Sequence, residues 1–248
     1  MIKSFERMFA ILRLFTMERS NLSISEIEKE LEYPKSTIFR ILNSLIKENF
    51  IVQHPDTQRY SIGVEFFRLG SIFQSNLDIR GTSLPIMEEL AESSLETVEL
   101  NIIDGIERLC IEKIDSPQPV RNFVRIGDRH PLHLGASGKC LLAFTDTKNQ
   151  EELLSEIRQE YKVDVPKIRS ELKLIQQNGY SLTKGERVPG SFAVSAPLYG
   201  ESGRLVGSIT LAGPVQRFSK ESEEDLVRMV TESATNISKS FGNFITNV

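Results

Sequence analysis

Lys35, Ser36, Thr37, Phe39, Arg40, Asn43 and Lys47 lie within one short stretch, with most of them three or four residues apart. On a helix that spacing gathers positive charge, hydroxyls, an amide and one aromatic ring along one side. Such a face suits the phosphates and base edges of the DNA major groove, and Arg40 has the fork geometry to pair with guanine through two hydrogen bonds. Phe39 reads either as a contact to a thymine methyl or as a half-buried packing residue. Arg59, near the tip of an expected hairpin, reads as a minor-groove or phosphate contact, or as an ordinary solvated charge. A second set, His130, His133 and Cys140, raises the question of a metal. Its H-x-x-H-x6-C spacing fits no strong zinc pattern, so no metal site is expected. His133 between Leu132 and Leu134 reads as a packed histidine, and Cys140 as a small core residue. There is no G-x-S-x-G, no H-E-x-x-H and no glycine loop that would cradle a phosphate, so neither catalytic residues nor a cofactor are expected. A rival enzyme reading, acting on a small carboxylate, would have to use His130, His133, Cys140 or Glu186. A third reading makes the helical part a protein-docking module.

Composition narrows these choices. The chain has 248 residues, 40% of them hydrophobic and 26% charged, which fits a globular protein of one or two domains. No apolar run approaches the roughly 18 residues of a membrane span. The N-terminus shows no signal-peptide pattern, and two cysteines make no disulfide framework; together these lead us to expect the reducing cytoplasm and no membrane partner. The net charge of −4 argues against indiscriminate nucleic-acid binding. Residues 1–63 hold nine Lys/Arg against eight Asp/Glu, a net of +1; the remainder holds 21 against 26, a net of −5. A DNA contact must therefore rest on where the charges sit.

Several elements position the polar face. Phe5, Met8, Phe9, Leu12 and Phe15 predict a helix over about 4–19. Ser23 and Glu26 form a capping box that starts a short second helix, Glu32 and Tyr33 make a turn, and Pro34 suits the first position of a third. Ile38, Ile41, Leu42 and Leu45 stripe the inner side of that helix. Short β-like runs at 50–53 and 59–62 flank a polar tip, giving a hairpin or wing. A linker helix is expected over 64–77, then a helix over 79–94 disturbed by Pro85. The remaining pattern is mixed: strands at 98–103 and 108–114 around Asp104-Gly105, a strand at 122–125, a helix at 136–144, and surface helices at 151–158 and 168–178. Strands at 180–184, 192–199 and 205–212 follow, then a long helix over 220–241. The class is α+β, helices on an antiparallel sheet. The helix beginning near Ser137 offers free amides and a positive dipole end, which suit a carboxylate.

Pro34-Lys35-Ser36-Thr37-Ile38-Phe39-Arg40-Ile41-Leu42 resembles the recognition helix of the IclR family of bacterial transcriptional regulators. Gly127-Asp128-Arg129-His130-Pro131-Leu132-His133, Gly138 to Ala143, Gly179-Tyr180, Ala193 to Leu198 and Gly203 to Pro214 are similar to that family's motifs in the same order. The resemblance implies a winged helix-turn-helix over 1–63, a linker helix over 64–77 and a GAF-like effector-binding domain over 78–248. It implies a regulator, by default a repressor, that binds a double-stranded operator as a homodimer or dimer of dimers and senses a small organic acid. Aligned with those motifs, the effector positions are Asn122, His130, Ala136, Ser137, Thr183, Ala193, Thr210 and Ala212. The chain departs from the family in two places: Glu32-Tyr33 stands where a glycine is usual, and Cys140 where many members carry alanine.

Overall fold

Helix starts are set by polar caps. Ser23 Oγ accepts from the amide of Glu26 (3.3 Å), and the amide of Ser23 donates to Glu26 Oε2 (2.7 Å), so two otherwise orphan donors are satisfied at the start of α2 (Ile24–Leu31). A computed structural model of the chain describes residues 3–75, 78–200 and 203–243. The chain divides into two compact units, 1–77 and 78–248. In the first, α1 (Lys3–Arg13) and α2 precede α3 (Lys35–Lys47), and the strands β1 (Ile51–Gln53) and β2 (Tyr60–Ile62) form an antiparallel hairpin. Ile11, Leu22, Ile27, Ile38, Leu42, Leu45, Ile51 and Tyr60 make its core. Backbone bonds in both directions between Leu22 and Tyr60 (2.9 and 2.8 Å) tie the hairpin to the start of α2. Helix α4 (Val64–Ser75) follows; the last two positions of the expected linker, 76 and 77, lie outside the described residues.

Two expectations here are corrected. The first helix ends at Arg13, six residues early, because Thr16 and Arg19 close a turn whose backbone bonds are reinforced by the Thr16 hydroxyl (Oγ1 to Arg19 N, 3.1 Å). Pro34 is the cap residue before α3 rather than its first helical residue, with its carbonyl accepting from Thr37 and Ile38. The turn before it is made without glycine: Glu32 sits at φ 54°, a left-handed conformation usually left to glycine.

The second unit is built on one antiparallel sheet of order β5-β4-β3-β8-β7-β6. Its strands are β3 (Thr97–Asp104), β4 (Glu107–Ile114), β5 (Arg129–Pro131), β6 (Ser181–Lys184), β7 (Ser191–Tyr199) and β8 (Leu205–Pro214). Gly105, at φ 61°, makes the β3–β4 turn that Asp104-Gly105 announced. Helices α5 (Asp78–Ser94) and α9 (Lys220–Asn243) pack on one face of the sheet; α6 (Gly135–Phe144) packs on the other, with α7 (Thr147–Tyr161) and α8 (Val165–Asn178) against it. Nine of the ten residues of α6 are buried, and Leu141 and Leu142 join Leu154, Ile157, Ile168 and Leu172 in the core beneath it. Helix α5 runs through Pro85 without a break. The strand expected at 122–125 is not formed. Its backbone groups bond elsewhere: the Asn122 carbonyl accepts from Thr97 Oγ1 (3.1 Å), and the Arg125 amide donates to Asp128 Oδ2 (2.8 Å). A turn at 125–128 covers β4 at Cys110 instead, and the edge strand is β5, which was not anticipated.

Candidate functional site

Helix α3 turns Ile38, Leu42 and Leu45 inward and leaves Lys35, Ser36, Phe39, Arg40 and Lys47 exposed, with Thr37 and Asn43 half-buried at the margin. Phe39 is 52% exposed, so it is not a core residue of this unit. Lys35 lies 3.4 Å from Glu28 of α2, a surface pair that leaves its ammonium accessible. Arg59 is engaged within the fold: its Nη2 donates to both Glu26 oxygens (2.9 and 2.7 Å) and to the Asn21 carbonyl (3.0 Å). That pairing, with the Ser23 amide first among the causes, holds the Glu26 carboxyl down at about 2. Arg59 thus braces the wing on the capping box.

The other site lies where α6 begins over the sheet. Register places Glu99 opposite Thr210 and Thr210 opposite Ser195; two residues along on the same face, Ala212 lies opposite Ala193 and Ala193 opposite Thr183. The start of α6 stands above this floor with no side-chain cap, so its first amides and positive dipole end are free to meet an anion. Asn122, Ala136, Ser137, Thr183, Ala193, Thr210 and Ala212, seven of the eight expected positions, line one cleft of about 350 Å3 measured out to its open mouth. His130 does not line it; it sits on β5, 3.2 Å from Arg187 Nη1. Burial, then the charges of Arg108 and Arg187, push the His130 pKa down to about 4, so the ring is neutral at physiological pH.

Glu99, Arg108, Gly135, Arg187, Ser191 and Phe192 complete the lining and were not singled out. Glu99 and Arg108 are each 1% exposed. Asn122 Nδ2 donates to Glu99 Oε1 (2.9 Å), while Arg108 Nη1 bonds Asn101 and lies 3.4 Å from Glu99 Oε2. Arg187 rides on the 185–190 loop between Gly185 (φ 64°) and Gly190 (φ 75°). The neighbouring Glu186 pairs with Lys139 of α6, which also holds Glu171 of α8 at 2.6 Å, so one ammonium ties loop and two helices together. Gly138 is required by space: a Cβ there would stand 2.7 Å from the Leu132 carbonyl oxygen. The signal in the sequence for Glu99 and Arg108 is that each is a charged residue inside a largely apolar run read as a strand, at 98–103 and 108–114.

The remaining candidates disperse. His133 packs on Tyr161 (ring centroids 4.9 Å apart), and Cys140 is fully buried, its thiol pushed up to about 12 by burial. Among the described residues no group of three or more His, Cys, Asp or Glu is arranged to hold a metal. No helix there is long and apolar enough to cross a membrane.

An exposed basic reading helix beside a braced wing, joined to a domain with a polar cleft, defines a DNA-binding transcriptional regulator. Family models described as "IclR helix-turn-helix domain" and "Bacterial transcriptional regulator IclR C-terminal" match residues 4–55 and 73–239. The chain is similar to the HTH-type transcriptional regulator KipR of Bacillus subtilis, 31% identical over 97% of each protein. It is also similar to the HTH-type transcriptional repressor AllR of Escherichia coli, 30% identical over 97% of this chain and 90% of that protein. Among solved structures, the Thermotoga maritima IclR superposes with a TM-score of 0.75 at 25% identity, covering 98% of this chain and 100% of that one. An IclR homolog from Microbacterium hydrocarbonoxydans, complexed with 4-hydroxybenzoate, superposes with a TM-score of 0.82 at 23% identity, covering 96% and 99%. The chain belongs to the IclR family of bacterial transcriptional regulators; it is a regulator and not an enzyme.

Proposed function

We propose that the protein is a cytoplasmic repressor that binds a two-fold operator through α3 and is switched by a small organic acid in the α6 cleft. The observation that carries this reading is the cleft itself: two arginines and an uncapped helix start face a floor of small and hydroxyl side chains. Its exposed polar groups suit a carboxylate. The bound aromatic acid in the Microbacterium homolog and the repressor named among the relatives support it. Reading two half-sites requires two recognition helices at fixed spacing, hence at least a homodimer. The large apolar side chains Val64, Phe67, Ile72 and Phe73 of α4, all at least 47% exposed, support self-association of the linker region. A ligand that prefers one spacing of the reading heads then shifts operator affinity by its differential affinity for the two arrangements.

The test pairs two measurements. Operator binding should fall steeply with salt and drop with Arg40→Ala, by roughly 1–3 kcal/mol if the guanidinium grips guanine. A thermal-shift screen of small carboxylates should find acids that stabilise the protein, and Ser137→Leu should remove the shift. Operator binding untouched by Arg40→Ala defeats the assignment of α3; a broad acid panel without a shift defeats the cleft.

A further inference from the structure

We infer that the cleft selects a small monocarboxylate that also carries a hydrogen-bond donor, a hydroxy acid in its simplest form, with Glu99 accepting from that donor. This rests on the reading of the cleft as the effector site.

A receptor for a bare carboxylate is weakened by a carboxylate of its own, yet Glu99 lines this cleft and is 1% exposed. Its two named contacts, Asn122 at 2.9 Å on Oε1 and Arg108 at 3.4 Å on Oε2, take one direction at each oxygen. An ionised carboxylate offers about four acceptor directions, so Glu99, which lines the cleft, keeps acceptor capacity beyond these two contacts. Thr183, Ser191 and Thr210 can each donate or accept and so discriminate little; Glu99 accepts only. A methyl or a keto oxygen placed against it leaves a buried acceptor unpaired or repels it, whereas a hydroxyl or N–H satisfies it. Donor capacity for the ligand's acid group is present as well. Arg108 Nε, buried at the cleft, meets no acceptor among the described residues, and Arg187 and the α6 amides flank it.

Charge fixes the valence. Arg108 and Arg187 against Glu99 leave the lining at +1, because the neutral His130 adds nothing and Asp128 does not line the cleft. One carboxylate balances that sum. A dicarboxylate overbalances it beside the existing buried anion, where repulsion is weakly screened.

The experiment uses the full-length protein and matched probes: lactate against propionate, 4-hydroxybenzoate against benzoate, and malate as the dianion, each read by thermal shift and calorimetry. In the wild type the hydroxy acid of at least one pair should bind on the order of tenfold tighter than its parent acid, and tighter than malate. Glu99→Gln, which removes one negative charge and keeps the shape, should erase the preference for the hydroxyl and favour malate. Parent and hydroxy acids binding alike in the wild type overturns this inference and leaves the effector reading standing. No response to any acid overturns both. The wild-type comparison decides the matter even if the variant fails to fold.

Discussion

Phe39 is the residue whose surroundings say most about sequence preference. A ring more than half exposed on the reading face, next to Arg40, is placed to touch the 5-methyl of a thymine beside a guanine. We expect a bound operator site to weaken when one particular thymine is replaced by uracil, and Phe39→Ala to abolish that difference while leaving the salt dependence intact; footprinted binding titrations check both. At the second site, His130 makes a pH prediction. Its folded pKa of about 4 lies below the ordinary 6.5, so the unfolded chain binds the extra proton first. Stability from this group is therefore complete above pH 6.5 and lost as pH falls towards 4. Denaturation midpoints of wild type and His130→Gln should diverge in that window, with the variant less steep. The site's hydroxyl and small residues were legible through motif alignment, but its charges were not. Glu99, Arg108 and Arg187 come from a strand, its hairpin partner and a distant loop, and only the folded domain brings them together.

Elements were legible where chemistry is local. The capping box, the Asp104-Gly105 turn and the period-3.6 stripe of α3 need only near neighbours, and all appear as expected. The failures are where distant partners decide. Residues 122–125 look extended but are drawn into contacts with Thr97 and a turn against Cys110, and β5 forms because β4 has a free edge there. Two variants probe the elements. Glu32, at φ 54° in the turn before α3, pays for a conformation glycine adopts freely; Glu32→Gly should stabilise the first unit by up to about 1 kcal/mol, seen in urea melts. Gly138→Ala should do the reverse. Its methyl would meet the Leu132 carbonyl at 2.7 Å, so α6 must shift or the turn between β5 and α6 must give. A loss of several kcal/mol and of acid-induced stabilisation together is the expected result in thermal melts.

For the whole molecule, the consequence of the proposed assembly is that reading and sensing fail separately. Phe67→Glu, on the 77%-exposed ring of α4, should leave each unit folded, lower the oligomeric state in analytical ultracentrifugation and weaken operator binding without touching α3. The chain divides between residues 77 and 78, where the resemblance set the start of the effector-binding domain, and the resemblance also implied what each unit does; what needed the fold was which charged residues meet in the cleft. The cleft also separates two properties that are usually entangled. Its charged groups gather on one side, Glu99 and Arg108 on β3 and β4 with the Arg187 head reaching over to His130 of β5, while its floor extends away from them along Thr210, Ala212, Ala193 and Thr183. Enlarging or trimming a floor residue changes how long a ligand fits without disturbing the charged groups that grip it. Such an architecture lets duplicated genes diverge to new signals by single small steps, each keeping a working anchor while the measuring distance changes.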